Sequence, residues 1–175
     1  MPGSGKTTAA EIFSRMGFEV VEGSTIIKEE MKKKGIAVSP ESVEAFANKM
    51  KNEHGKDVFA IMTGKRLRER LDSNNFLVVG PRSLAEFEAF ERAVGMNLRL
   101  IALMSPQKTR FNRLSTRKVL GIKSPYVLML KDKSNIGMGI SELIDRADYV
   151  ISNTGSKKEL EESIRELLMK LGDTE

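Results

Sequence analysis

The sequence predicts an α/β protein, a parallel sheet with helices on both faces, and three features carry that reading. Short apolar runs alternate with amphipathic stretches along the whole chain. Phe76-Leu77-Val78-Val79 is an unbroken apolar run, as in a strand covered on both faces. A glycine-rich segment, Gly3-Ser4-Gly5-Lys6-Thr7-Thr8, leads straight into a helical pattern.

Taken in order, Thr8 to Met16 reads as a helix ended by Gly17, and Phe18-Glu19-Val20-Val21 as a short strand. A polar turn is expected at Gly23-Ser24-Thr25, then a helix from Ile26 to Lys34 closed by Gly35. Ser39-Pro40 supplies an N-cap and a first-turn proline for a helix that stops before Gly55. Asp57 to Leu71 is a further helix with Val58, Ile61, Met62 and Leu67 on its apolar face, and strand 76–79 ends at Gly80-Pro81. Ser83 with Glu86 forms a capping box before a helix whose stripe is Leu84, Phe87, Phe90 and Val94. Leu98 to Met104 is the next strand, and Ser105-Pro106 and Ser124-Pro125 each open a helix. Gly137-Met138-Gly139 breaks the pattern before a short helix, Ser141 to Arg146. Tyr149-Val150-Ile151 is the last strand, and Ser156 with Glu159 caps a terminal helix bearing Leu160, Ile164, Leu167, Leu168 and Leu171.

Composition bounds what this architecture can do. A chain of 175 residues with 40% hydrophobic and 30% charged residues reads as one soluble domain, 1–175, with room for a small flap or lid. No cysteine and a single histidine, His54, leave oxygen as the ligand for any metal. The net charge of +5 favours an anionic partner. The longest apolar stretches are far shorter than the roughly 20 residues of a membrane helix. With no apolar signal core at the start, a cytoplasmic address is the simplest expectation.

The segment from Gly3 to Thr8 has the chemistry of a phosphate cradle. Glycines let backbone N–H groups turn inward, a helix N-terminus adds partial positive charge, Lys6 can reach outer phosphates, and the Thr7 hydroxyl can ligate magnesium. The full pattern G-x-x-x-x-G-K-[ST] places its first glycine one residue before Met1. The first, central strand that would feed this loop is thus expected to be missing. Unpaired backbone groups in a core cost about 1–3 kcal/mol each, so we expect a chain shortened by about 8–12 residues, a strand and a turn. An in-frame stop codon directly upstream would refute that expectation.

Three ordered segments, Met1-Pro2-Gly3-Ser4-Gly5-Lys6-Thr7, Gly80-Pro81-Arg82-Ser83-Leu84-Ala85-Glu86 and Ala147-Asp148-Tyr149-Val150-Ile151-Ser152-Asn153-Thr154-Gly155-Ser156, give the chain a wider resemblance. It resembles, over nearly its whole length, the archaeal dephospho-CoA-kinase-like proteins, P-loop relatives of adenylate kinase. The resemblance implies a P-loop nucleoside-kinase-like fold, ATP and Mg2+ as cofactors, and a small phosphoryl acceptor. Gly3, Ser4, Gly5, Lys6, Thr7 and Thr8 would bind the phosphates, with Thr7 on the metal. Arg82 would face the transferring group or the acceptor, and Arg110, Arg113 and Arg117 would close over the polyphosphate from a lid-like segment, 108–135, with Lys6, Arg82 and Arg113 as the catalytic set. Asn153, Gly155 and Ser156 would border the adenine, and segment 24–56 would be the acceptor-binding flap.

Where the family commonly carries an aspartate before the Gly-x-Arg-Ser segment, this chain has Val79. Where those kinases orient the acceptor with an aspartate, it reads Gly23-Ser24-Thr25, and Lys28 stands for the usual arginine. Losing a base costs about 10²–10⁴ in rate without abolishing a reaction ruled by positioning and charge. Glu22 and Glu86 are nearby stand-ins. The leading expectation is therefore ATP-dependent phosphoryl transfer to a nucleoside monophosphate or a dephospho-CoA-like acceptor, by a nucleotide kinase-type phosphotransferase or weak ATPase. The alternative is a nucleotide-binding regulatory module with weak or no kinase activity. Nucleic-acid binding is the weakest reading, since aromatics are 6% with no tryptophan to form a stacking platform.

Overall fold

In the computed structural model, which describes residues 1–70, 75–117, 122 and 124–172, helices and strands alternate as the sequence predicts. The elements begin with α1 (Lys6–Arg15), β1 (Glu19–Glu22), α2 (Gly23–Lys33), α3 (Pro40–His54), α4 (Val58–Arg68), β2 (Phe76–Val79) and α5 (Leu84–Val94). They continue with β3 (Ile101–Met104), α6 (Gln107–Thr116), α7 (Pro125–Gly137), α8 (Ile140–Asp145), β4 (Tyr149–Ser152) and α9 (Lys157–Gly172). The chain divides into two compact units, Met1–Gly17 with Arg99–Glu175, and Phe18–Leu98.

Each unit holds one parallel strand pair. In the 18–98 unit, β1 and β2 run in register from Glu19 opposite Phe76 to Glu22 opposite Val79. In the other, β3 and β4 run from Ile101 opposite Tyr149 to Met104 opposite Ser152. A parallel pair needs a crossover between its strands, and helices provide it in both cases. Two strands alone are marginal, so most of the stabilisation comes from the apolar residues packed around them. In the 18–98 unit one cluster gathers Ile26, Met31, Phe46, Val58 and Phe59, and a second joins Ala60, Leu67, Ala89, Phe90 and Val94 to Val21, Phe76 and Val78 of the strands. In the other unit α1 packs on α9, and Leu114, Ile122 and Leu128 bury a further cluster between α6 and α7.

Local capping explains where four of the helices begin. Ser39, Ser83, Ser124 and Ser156 each accept the N–H three residues on, at 3.1 to 3.3 Å, an arrangement worth about 1 kcal/mol per helix. The Ser156 box is reciprocal, since the Glu159 carboxylate accepts the Ser156 N–H at 2.6 Å. At Ser83 the return bond is displaced by one residue: Glu86 accepts the N–H of Arg82 at 2.9 Å.

Several element boundaries move by one to three residues from the sequence reading, and three differences have a physical reason. Gly23-Ser24-Thr25 is not a turn but the first turn of α2, entered from an extended Glu22; small polar residues are tolerated there because first-turn amides need no helical partner. The third strand starts at Ile101, not Leu98, because two earlier amides are already taken by side chains. The Leu98 N–H bonds the Glu91 carboxylate and the Leu100 N–H the Asp148 carboxylate, both at 2.8 Å. Strand β2 is half-buried at all four positions instead of fully covered. The predicted end of α4 at Leu71 lies outside the described residues.

Two outcomes follow from this packing. A Cβ at Gly64 of α4 would sit 2.6 Å from Ala93 Cβ and 3.0 Å from the Phe90 carbonyl of α5. Gly64→Ala should therefore lower stability by about 1–3 kcal/mol in urea unfolding, although alanine gains up to about 1 kcal/mol in helix propensity; an unchanged midpoint would deny the close helix approach. The second concerns the α9 cap, where hydrogen bonds from the Ser156 amide and then its hydroxyl hold the Glu159 carboxyl below its ordinary range. A depressed carboxylate contributes stability that is present above its unfolded-state value and lost as pH falls through the folded one. Below pH 4.5 the native chain should lose this contribution while Glu159→Gln shows a flatter acid limb; superimposable acid profiles would contradict the cap.

Candidate functional site

The segment ahead of α1 is held in a shape only glycine permits at two points. Gly3 has φ 74° and Gly5 φ 104°, both left-handed. There is also no room for a side chain. A Cβ on Gly3 would lie 2.8 Å from the Arg110 carbonyl and 3.0 Å from Leu114, and one on Gly5 would collide with the Asn153 amide.

Four of the loop's carbonyl oxygens are engaged from outside or by the helix. Met1 O accepts Lys6 Nζ at 2.8 Å, Pro2 O accepts Arg110 Nη1 at 3.2 Å, and Ser4 O accepts Asn153 Nδ2 at 2.8 Å. Gly5 O accepts the Ala9 N–H at 2.9 Å, the first bond of α1. The amides of Thr7 and Thr8 lie ahead of that bond, where a helix has no acceptor of its own. No side chain caps α1 and no acidic residue occupies its first turn. Ser4 is 2% exposed, and its hydroxyl oxygen is buried with no hydrogen-bond partner among the described residues. Carbonyls held away, amides at a helix head, and an orphaned hydroxyl make a cradle that fits an anion.

Positive charge crowds the same place. Lys6 and Thr7 are exposed and Thr8 half-buried.

Arg110 and Arg113 of α6 and Arg117 at its C-cap share a helical face but differ in depth. Arg110 is 6% exposed and forms a two-pronged ion pair with Asp132 of α7, Nη1 to Oδ1 at 2.9 Å and Nη2 to Oδ2 at 2.7 Å. Its Nε donates to Ser105 O at 3.0 Å. Arg113 is half-buried and donates to Asn153 O at 3.0 Å, Asn153 Oδ1 at 3.3 Å and Gly155 O at 3.1 Å, so it holds the turn after β4. Arg117 is exposed and reaches the Thr8 hydroxyl at 3.3 Å. Residues 118–121 and 123 of the lid-like segment lie outside the described residues.

These groups border a cavity of about 290 Å³. Gly3, Gly5 and Thr8 line it from the loop, Arg113 and Arg117 from α6, and Asn153, Gly155 and Ser156 from the turn after β4. Sequence reasoning did not place Glu11, Lys157 or Leu160 at the site, and they also line it, with Lys157 Nζ 3.3 Å from the Glu11 carboxylate. Their signal was present only as position, Glu11 one turn beyond Thr8, Lys157 directly after Ser156 and Leu160 one turn beyond it. Asp132 was missed as well, because its partner is 22 residues away in sequence.

The 18–98 unit carries the remaining candidates. Arg82 is exposed just past the carboxyl end of β2, its amide tied to Glu86. Within segment 24–56, a cavity of about 480 Å³ is lined by Thr25, Lys28 and Lys32 of α2 and by the apolar Ile36 and Val38. Glu29 also lines it, and its carboxylate is paired with Arg66. Among the described residues no group of three or more His, Cys, Asp or Glu is placed to hold a metal ion, and no helix is long and apolar enough to cross a membrane.

Comparison with known proteins bears on the family and the fold. The family model described as AAA domain matches residues 1–121. A UPF0200 protein of Aeropyrum pernix is 37% identical over 163 residues, covering 92% of this chain and 84% of that protein. One from Pyrococcus horikoshii is 34% identical over 174 residues, covering 98% and 94%. A UPF0200/UPF0201 protein of Archaeoglobus fulgidus is 34% identical over 97% of this chain, which spans about half, 53%, of its length. Among solved structures, TT1252 from Thermus thermophilus superposes with a TM-score of 0.66 at 21% identity, covering 97% of this chain and 93% of that one. Shikimate kinase from Acinetobacter baumannii, in complex with shikimate, gives 0.52 at 18% identity, covering 97% and 89%. Both likenesses are of fold: parallel strands, flanking helices and a phosphate loop in the P-loop kinase-like manner. By the extent of these matches the chain belongs to the AAA domain family in its P-loop kinase-like form, and to the UPF0200 proteins of archaea.

Proposed function

We propose that this chain binds ATP with Mg2+ and transfers a phosphoryl group to a small nucleotide-like acceptor, a nucleoside monophosphate or a dephospho-CoA-like alcohol. The observation that carries the reading is the engaged set of loop carbonyls around two glycines that admit no side chain. Bound ATP would supply the transferable phosphoryl group, and Mg2+ would offset its negative charge.

The amides at the head of α1 receive phosphate oxygens, and the Lys6 ammonium exchanges the Met1 carbonyl for one of them. The Thr7 hydroxyl is the metal ligand offered by the loop. Arg117 bears directly on the cavity and is exposed enough to swing onto a polyphosphate. Arg113 contributes charge from where it is, and its hydrogen bonds fix the 153–155 turn beside which the base would lie. Ser156 lines the cavity there, and Leu160 offers an apolar surface to the base. Arg82 is the proposed arginine for the transferring group in the 18–98 unit.

Acceptor binding is assigned to segment 24–56. Lys28 and Lys32, one helical turn apart, face the same cavity as Ile36 and Val38, which suits an acceptor with an anionic end and an apolar body. A second reading is favoured by one observation. The carboxyl end of β2 is Val79, at the position where the kinases this chain resembles carry an aspartate. A module that binds a nucleotide and regulates by doing so, with slow chemistry or none, matches that lack of acid.

Titration calorimetry with Mg-ATP and coupled ADP release against a panel of nucleoside monophosphates and dephospho-CoA separates these readings. One acceptor should stimulate turnover, Lys6→Ala should abolish it, and Gly5→Ala should weaken ATP binding at least tenfold, by about 1.4 kcal/mol or more. ATP binding with no acceptor response would select the regulatory reading, and no ATP binding would refute both. In the kinase case Lys28→Ala with Lys32→Ala should raise the acceptor KM and leave the ATP KM unchanged; an equal change in both would remove segment 24–56 from acceptor binding.

A further inference from the structure

We propose that Asp132 is a positioning residue for the phosphate loop, acting through Arg110. The inference rests on the phosphate-binding reading and extends it to a residue well outside the loop.

The Arg110 guanidinium is held from three sides. Its Nε meets Ser105 O at the entry to α6, two of its edges meet the Asp132 carboxylate on α7, and Nη1 also donates to Pro2 O. Gln107 adds a weaker contact to the same carboxylate, Nε2 to Oδ2 at 3.4 Å. Arginine and aspartate side chains are 7% and 11% exposed, so neither charge is satisfied by water. A guanidinium in this position without its counter-ion would be a buried unpaired charge, and it would leave for solvent and release the Pro2 carbonyl.

The residue after Pro2 is Gly3, and α6 constrains it a second time. The backbone carbonyl of Arg110 and the side chain of Leu114 fill the space where a Gly3 Cβ would lie. The same turn of α6 thus sets the loop both by contact at Gly3 and by a hydrogen bond at Pro2. Asp132 determines where that turn's cation sits. A freed Pro2 carbonyl can rotate toward the anion, and a peptide unit that turns its oxygen inward turns an amide outward.

Apolar replacement of a buried ion pair is often neutral or stabilising, so a role in stability and a role in positioning can be separated. That fact supplies the test. Tripolyphosphate affinity and thermal midpoint are measured on the whole chain for Asp132→Asn and for the double variant Arg110→Met with Asp132→Leu. The double variant should keep or raise the midpoint, and both variants should bind tripolyphosphate about tenfold more weakly, the effect of losing one charge-assisted hydrogen bond to the loop. A folded double variant with native affinity overturns the proposal. Should the double variant not fold, Asp132→Asn decides alone: native affinity in its folded fraction overturns the proposal, and weakened affinity at an unchanged midpoint supports it. If the native chain itself binds no tripolyphosphate, the phosphate-binding reading fails and this proposal falls with it, a result distinct from native binding that the variants leave intact.

Discussion

A loop can offer its amides to an anion only if its carbonyl oxygens are held elsewhere, because every peptide unit carries both. That constraint governs the unit formed by residues 1–17 and 99–175. Pro2 O is held by Arg110, Ser4 O by Asn153 and Gly5 O by the first bond of α1. The anchors come from α6 and from the residue just past β4, so the strand pair β3–β4 and its crossover helices exist in part to bring them to one place. Asn153 illustrates the economy of the arrangement. Its amide N–H fixes the loop while its own carbonyl groups receive Arg113, which also holds Gly155.

The second consequence is a division of labour among basic residues. Arg110 is buried and neutralised by Asp132, Arg113 is engaged with backbone carbonyls, and Arg117 is exposed. Their ordinary description as one basic face hides three electrostatic situations. A charge already paired in a dry environment shapes the site; a charge in water at its rim can still be recruited by a ligand. The 18–98 unit shows the same contrast on a smaller scale, where Glu29 is paired with Arg66 while Lys28 and Lys32 line a cavity with apolar Ile36 and Val38.

Much of the fold was legible because its signals are local. Ser39-Pro40, Ser83, Ser124-Pro125 and Ser156 marked helix starts through bonds that span three residues. The apolar run 76–79 marked a strand, although its half-burial depends on what packs around it. The loop glycines were legible because positive φ leaves few alternatives. What escaped was whatever depends on a distant partner. Spacing placed Arg110, Arg113 and Arg117 on one face but said nothing of depth, which for Arg110 depends on Asp132 on another helix. The Asn153 bond to Ser4 joins residues 149 apart, and no periodicity carries that distance. The start of β3 moved for the same reason, since side chains of Glu91 and Asp148 claim amides that the apolar pattern assigned to a ladder.

The central claim is that the amides at the head of α1 face outward as an anion site, and residue-resolved amide NMR tests it most directly. Titrating Mg-ATP into labelled protein should shift the Ser4, Gly5, Thr7 and Thr8 resonances first and saturably, with the Arg117 side chain following. Resonances at those positions that stay unmoved at millimolar nucleotide would contradict the account.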